Sequence, residues 1–238
     1  MTENLLEIDK NEELWICSDL HLGHDREFIW GKRGFKSSVE HESWLITNLR
    51  INIIKFFEEN PDKNLIIFHL GDLSFNDAEC DRAKKFFDLE LLNDNLEVYT
   101  TPGNHSFNLL KLENTEYNDN IFPEQGTITI ANAPGRQAYK NLIYSHYPLL
   151  NWPSRANGVI CGHCHGNETC LNLPERNNIE TVKLGKILDC GVDNALKNSK
   201  NQRCYFTIAE IQKILQQKED IFNKLKTPGQ RTMTLMKP

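Results

Sequence analysis

Five short stretches of this chain carry side chains that can hold a metal ion or move a proton. They are Ser18-Asp19-Leu20-His21-Leu22-Gly23-His24, Gly71-Asp72, Gly103-Asn104-His105, His146, and Gly162-His163-Cys164-His165. Asp19 and His21 are two residues apart, so in an extended backbone both would point the same way. A carboxylate and an imidazole leaving a strand end together make half a site for a divalent ion. Taken alone, this D-x-H reads more readily as a turn with an Asp cap and a surface His. Its weight comes from recurrence: each of the five stretches follows an apolar run, and four contain a glycine where the backbone must turn or pass close to a ligand.

The apolar runs are the elements that must position these groups. Leu14 to Cys17 is short enough to be a buried strand. From Val39 to Glu59, Trp44, Leu45, Leu49, Ile53, Phe56 and Phe57 recur at helical spacing, and Pro61 stops the pattern. His41 falls in this helix and is expected to be solvated or half-packed. Leu65 to Leu70 is continuously apolar, as in a strand buried on both faces. A second helix is expected from about Asp77 to Leu92, with Phe86 and Phe87 inward. A third strand, Leu96 to Thr100, runs into Pro102-Gly103-Asn104-His105. Strand, helix, strand, helix, strand implies parallel βαβ units. The polar tips then share the carboxyl edge, where ligands of open α/β sheets collect.

The second half predicts a further sheet from Thr127–Ile130, Asn141–Ser145, Gly158–Cys161 and Val182–Leu188. Thr207-Ile208-Ala209-Glu210 is a capping box opening a helix to about Lys226. Residues 1–226 read as a single domain and residues 227–238 as a loose tail. The chain has 238 residues, 39% hydrophobic and 25% charged, enough for one full core. Its net charge of −6 provides no global field for non-specific nucleic-acid binding. No apolar stretch approaches membrane-spanning length, and the first residues form neither the basic nor the apolar part of a leader, so a cytoplasmic protein is expected. Seven cysteines in a chain of this size are expected to be reduced thiols.

Together the five stretches closely resemble the calcineurin-like metallophosphoesterases, over the span from Asp19 to His165. The Ser-Asp-Leu-His-Leu-Gly-His lead-in and the Gly-His-x-His-Gly close resemble a small bacterial or phage type of that family. The resemblance implies an α/β fold, a four-layer αββα sandwich of two mixed sheets flanked by helices. It implies two divalent metal ions, Mn²⁺ first, with Fe, Zn²⁺ or Ni²⁺ as others, and a hydroxide held between them as nucleophile. By position, Asp19, His21 and His165 would hold one ion and Asn104, His146 and His163 the other. Asp72 would bridge them. His105 would protonate the leaving oxygen, an effect of about 10²–10⁴-fold. His24, Arg33 and Arg155 are candidates for contact with substrate, each with the bland alternative of a surface side chain.

The chain departs from the family's protein Ser/Thr phosphatases, which follow Gly-Asp with a second Asp and an Arg. Here Leu73-Ser74-Phe75-Asn76 stands there, which leaves open what orients His105. With few cations near the motifs, a singly charged diester is expected over a monoester, on a small nucleotide-like substrate. A monoesterase, a nuclease and a catalytically silent scaffold of the same fold are the alternatives. Cys161-Gly162-His163-Cys164-His165 also matches the C-x-x-C-H haem pattern, without the export signal such attachment needs. Cys161, Cys164 and Cys170 could instead hold zinc, but lack a clean fourth ligand.

Overall fold

The computed structural model describes residues 11–75, 79–105, 128–129, 142–149, 158–166, 186–199 and 202–218. Strands β1 (Glu12–Cys17), β2 (Asn64–His69) and β3 (Leu96–Thr100) pair in parallel. Their apolar runs are buried because helices cover one face of this sheet and a second sheet covers the other. Register matters most at one end. Cys17 lies opposite His69, and His69 opposite Thr100. The three strands therefore stop in one row, and Asp19, Asp72 and Asn104 follow within two to four residues of it.

The second sheet repeats this arrangement. Its order is β4 (Ile128–Thr129), β5 (Leu142–Ser145), β6 (Gly158–Cys161), β7 (Ile187–Asp189). β4 is antiparallel to β5, and the other pairs are parallel. Ser145, Cys161 and Asp189 align across the sheet, so His146 and Gly162-His163 also leave from one row. An isolated parallel bridge between Ser18 and Gly191 joins the two edges. Val192 N–H donates to the Ser18 carbonyl at 3.0 Å.

The packing separates into layers. Helix α2 (Ser38–Glu59) and helix α3 (Glu79–Phe87) bring Leu45, Leu49, Ile53, Phe57, Phe86 and Phe87 against Trp15, Ile67 and Val98. Between the sheets, Leu14, Ile16, Ile66 and Phe68 meet Leu142, Tyr144, Ile160 and Leu188. On the far face of the second sheet, Ile143, Val159, Cys161 and Ile187 are buried as a third cluster. The described residues assign no helix to that face. None of the described helices is long and apolar enough to cross a membrane.

Several boundaries differ from the sequence expectation. A short helix α1 (Glu27–Trp30) and a two-residue strand β8 (Phe206–Thr207), antiparallel to β1, are additional. Neither is long enough to show a period. The second helix is shorter than expected, and its last stretch, Asp88–Leu92, tightens to 3₁₀. Helix α4 (Val192–Asn198) follows β7. The capping box at Thr207 and Glu210 opens helix α5 (Ile208–Gln217). This helix stops well short of Lys226, because Lys218 is extended and its ammonium donates to the Ile187 carbonyl. The expected strand start at Val182 and the tail from Thr227 lie outside the described residues.

Candidate metal centre

The residues past the strand ends do not continue in extended form. Asp19 has φ 57°, His21 50°, Asp72 56°, His163 68° and His165 51°. Left-handed backbone is uncommon for residues other than glycine and costs on the order of 1–3 kcal/mol each. Of the six such residues among those described, five are at this one edge. The expectation that Asp19 and His21 share a side by strand alternation is therefore corrected: their backbones coil left-handed. They are held by main-chain bonds across to the neighbouring tip. Asp19 N–H donates to Gly71 O at 3.0 Å and His21 N–H to Asp72 O at 2.9 Å.

Two close approaches require glycine. A Cβ on Gly103 would lie 2.1 Å from Asp72 Oδ1, and one on Gly162 would lie 1.9 Å from Ser18 Oγ. Without those side chains, the tips of both sheets meet. His163 N–H donates to Asp19 Oδ2 at 2.9 Å, and His105 N–H donates to Asp72 Oδ1 at 2.8 Å.

Two groups of donor atoms result, Asp19 with His21 and His165, and Asp72 with His146 and His163. In the first, His21 Nε2 is 3.3 Å from His165 Nε2, and both are 4.0 Å from Asp19 Oδ1. In the second, His146 Nε2 is 3.3 Å from Asp72 Oδ2. Asn104 Oδ1 joins it, 2.9 Å from both His146 Nε2 and His163 Nδ1. Asp72 Oδ2 is also 3.8 Å from His21 Nε2, so it faces both groups.

These residues fit divalent ions. Atoms about 2.1 Å from one ion are roughly 3–3.5 Å apart; the two imidazoles of the first group, at 3.3 Å, and His146 with Asp72, at 3.3 Å, have that spacing, while Asp19 Oδ1 stands farther off at 4.0 Å. Asp72 Oδ2 is buried with no well-aligned hydrogen-bond donor, a costly state that a shared cation removes. The donors are imidazole, carboxylate and one amide oxygen, with no thiolate, a set suited to Mn²⁺, Fe or Zn²⁺.

Electrostatics point the same way. Burial pushes the Asp19 carboxyl up to about 6, against the pull of His146 and His165. His21 is driven well below the ordinary imidazole range by burial and by His165 and Arg33, so it is neutral and able to ligate. Burial also raises Asp72, but the close approach of the His146 imidazole prevails and lowers it.

The remaining candidates divide. The His105 ring sits among Phe75 at 5.2 Å, His21 at 5.4 Å and His24 at 6.4 Å. Its neighbours are thus the Phe75 ring and, through the main chain, Asp72. His24 is buried against Phe75, ring centroids 4.1 Å apart, and its Nδ1 accepts from Arg26 N–H at 3.1 Å. Arg33 is not on the open side of the site. Its side chain is 1% exposed and is paired with Asp193 at 2.7 Å. Arg155 lies outside the described residues. His41, expected at least partly solvated, is fully buried and bonded to Arg33 Nη1 at 2.9 Å. Cys161 and Cys164 are buried free thiols, and Cys161 is pushed well up by its hydrogen bond to Cys164 and by burial, so it stays protonated. Neither enters a metal group among the described residues, and Cys170 lies outside them.

Sequence reasoning missed Asp193. His165 Nδ1 is 3.0 Å from Asp193 Oδ2. A lone Asp in the first turn of a short helix carries no pattern that could have marked it.

Two packed sheets whose carboxyl edges bring together two His/Asp groups define a candidate two-metal centre in an α/β protein. Residues 13–203 match the family model of the calcineurin-like phosphoesterases, and the chain belongs to that family. No curated protein matches it. Among solved structures, it is similar to the crystal structure of AQ665 from Aquifex aeolicus, a protein of unknown function. The two share 20% identity with a TM-score of 0.52, over 86% of this chain and 100% of that one. That likeness concerns the fold.

Proposed function

We propose that this metal-dependent phosphoesterase is a phosphodiesterase acting on small nucleotide-like esters. The observation that carries the two-ion part is Asp72 Oδ2, which faces both donor groups. Two divalent ions, Mn²⁺ first, supply an activated water and positive charge for the phosphoryl oxygens. In this reading Asp19, His21 and His165 hold one ion, Asn104, His146 and His163 the other, and Asp72 both. His105 gives its proton to the leaving oxygen from a ring steadied by Phe75.

The diester preference rests on charge and on aromatic surface. A monoester carries about two negative charges and calls for cations beyond the metals. Arg33 is turned inward and neutralised by Asp193, so it is withdrawn from that task. Two exposed aromatic rings are available instead, one beside the ligand His163 and one beside His24. Tyr147 is 46% exposed with its ring 4.7 Å from His163, and Phe28 is 59% exposed and 5.4 Å from His24. Such faces stack on a nucleobase. The test is kcat/KM in Mn²⁺ for bis-aryl phosphate and cyclic nucleotides against aryl phosphate and nucleoside monophosphates. The diesters should be favoured; a clear preference for the monoesters would overturn the reading.

A further inference from the structure

The two candidate metal groups are backed differently. His146 Nδ1 meets a neutral acceptor, the Leu70 carbonyl, at 2.8 Å. His165 Nδ1 meets a carboxylate, Asp193 Oδ2, at 3.0 Å. That bond fixes the His165 tautomer: Nδ1 carries the proton, and the Nε2 lone pair faces His21 and Asp19. The His165 ring needs such a hold. It is one-third exposed and follows β6 on a left-handed backbone.

The Asp193 side chain in turn is mostly shielded, 11% exposed, and would be costly without a countercharge. Arg33 supplies the countercharge from Nη2 at 2.7 Å. The same nitrogen donates to the Asp19 carbonyl at 2.9 Å, while Nη1 reaches the Leu20 carbonyl at 3.4 Å and His41 Nε2 at 2.9 Å. His41 accepts because burial and the neighbouring guanidinium keep it neutral, its pKa down at about 3. One guanidinium therefore grips the main chain of one ligand and the carboxylate that orients another. Lysine could reproduce the charge but not this fork.

We propose that Asp193 and Arg33 are positioning residues for the ion held by Asp19, His21 and His165, and that they strengthen this site selectively over its neighbour. The inference rests on the two-ion reading of the centre and is independent of which ester is cleaved. It is tested by titrating the metal-free full chain with Mn²⁺ in a calorimeter. The wild type should show two sites. Asp193→Asn should weaken one of them about 10–100-fold, the usual effect of removing such a partner, and leave the other unchanged. Asp193→Glu should recover part of the loss, and Arg33→Lys should weaken the same site. Unchanged affinities, or an equal fall at both sites, would overturn the inference while sparing the two-ion reading. A wild type that binds no Mn²⁺ would overturn both. Melting of the metal-free variants separates positioning from folding: should Asp193→Asn not fold, Arg33→Lys carries the test, and collapse of both assigns the pair a structural role and overturns the inference.

Discussion

In the proposed mechanism, His105 is the residue on which leaving-group chemistry depends. Its main-chain N–H is fixed on Asp72 Oδ1 at 2.8 Å, and its ring rests near Phe75 and His24. The imidazole is outside both metal groups, so its removal should leave the ions in place. His105→Ala is expected to retain Mn²⁺ binding and to lose about 10²–10⁴-fold in kcat/KM on esters with poor leaving groups. An activated aryl ester needs little protonation and should lose much less. Comparing the two substrates checks the role; equal losses would mean that the ring acts by packing or charge alone.

At the scale of elements, the site depends on strand ends meeting at distances that only small residues permit. β2 and β3 stop level with each other, and their continuations bring Gly103 onto Asp72. A methyl group at Gly103 would lie 2.1 Å from the Asp72 carboxylate oxygen and 2.4 Å from its main-chain nitrogen. Something must shift, and Asp72 is the group that faces both donor groups. Gly103→Ala should therefore reduce kcat/KM at least about 10-fold, the scale of a misplacement of roughly an ångström or less. Overpacking in a well-packed core costs about 1–3 kcal/mol, so the protein should still fold. Wild-type activity in a variant with a native melting profile would show that the loop relaxes without moving the ligand.

Over the whole molecule, the metal centre lies where two sheets from different halves of the chain meet. Asp19, His21, Asp72 and Asn104 come from the first sheet's edge, and His146, His163 and His165 from the second's. Bound ions should therefore staple the halves together. By mass action, Mn²⁺ at 100 times its Kd should stabilise the fold by about 2.7 kcal/mol per site. In a protein of this size that is a rise of roughly 5–10 °C in Tm per site. Thermal melts with Mn²⁺ and with a chelator check this; identical Tm values would mean that the folded chain does not bind the ions.

Much of this was readable from residue order. Strong apolar runs and a 22-residue amphipathic helix are local patterns, and they located β1, β2, β3 and α2 nearly to the residue. The five polar tips were readable for the same reason: each is a short, unusual string directly after an apolar run. Tertiary structure decided what distance in sequence conceals. Whether Arg33 faces solvent or the interior depends on Asp193, 160 residues away. His41, expected to be solvated or half-packed on its helix, is fully enclosed beside Arg33 and Phe35. The left-handed coil at Asp19 and His21 comes from main-chain bonds to Gly71 and Asp72, which exist only once β1 and β2 lie side by side. Residue types and spacing could state which chemistry was available. Long-range pairing alone could set which side chains gather into the two donor groups and which are bonded behind them.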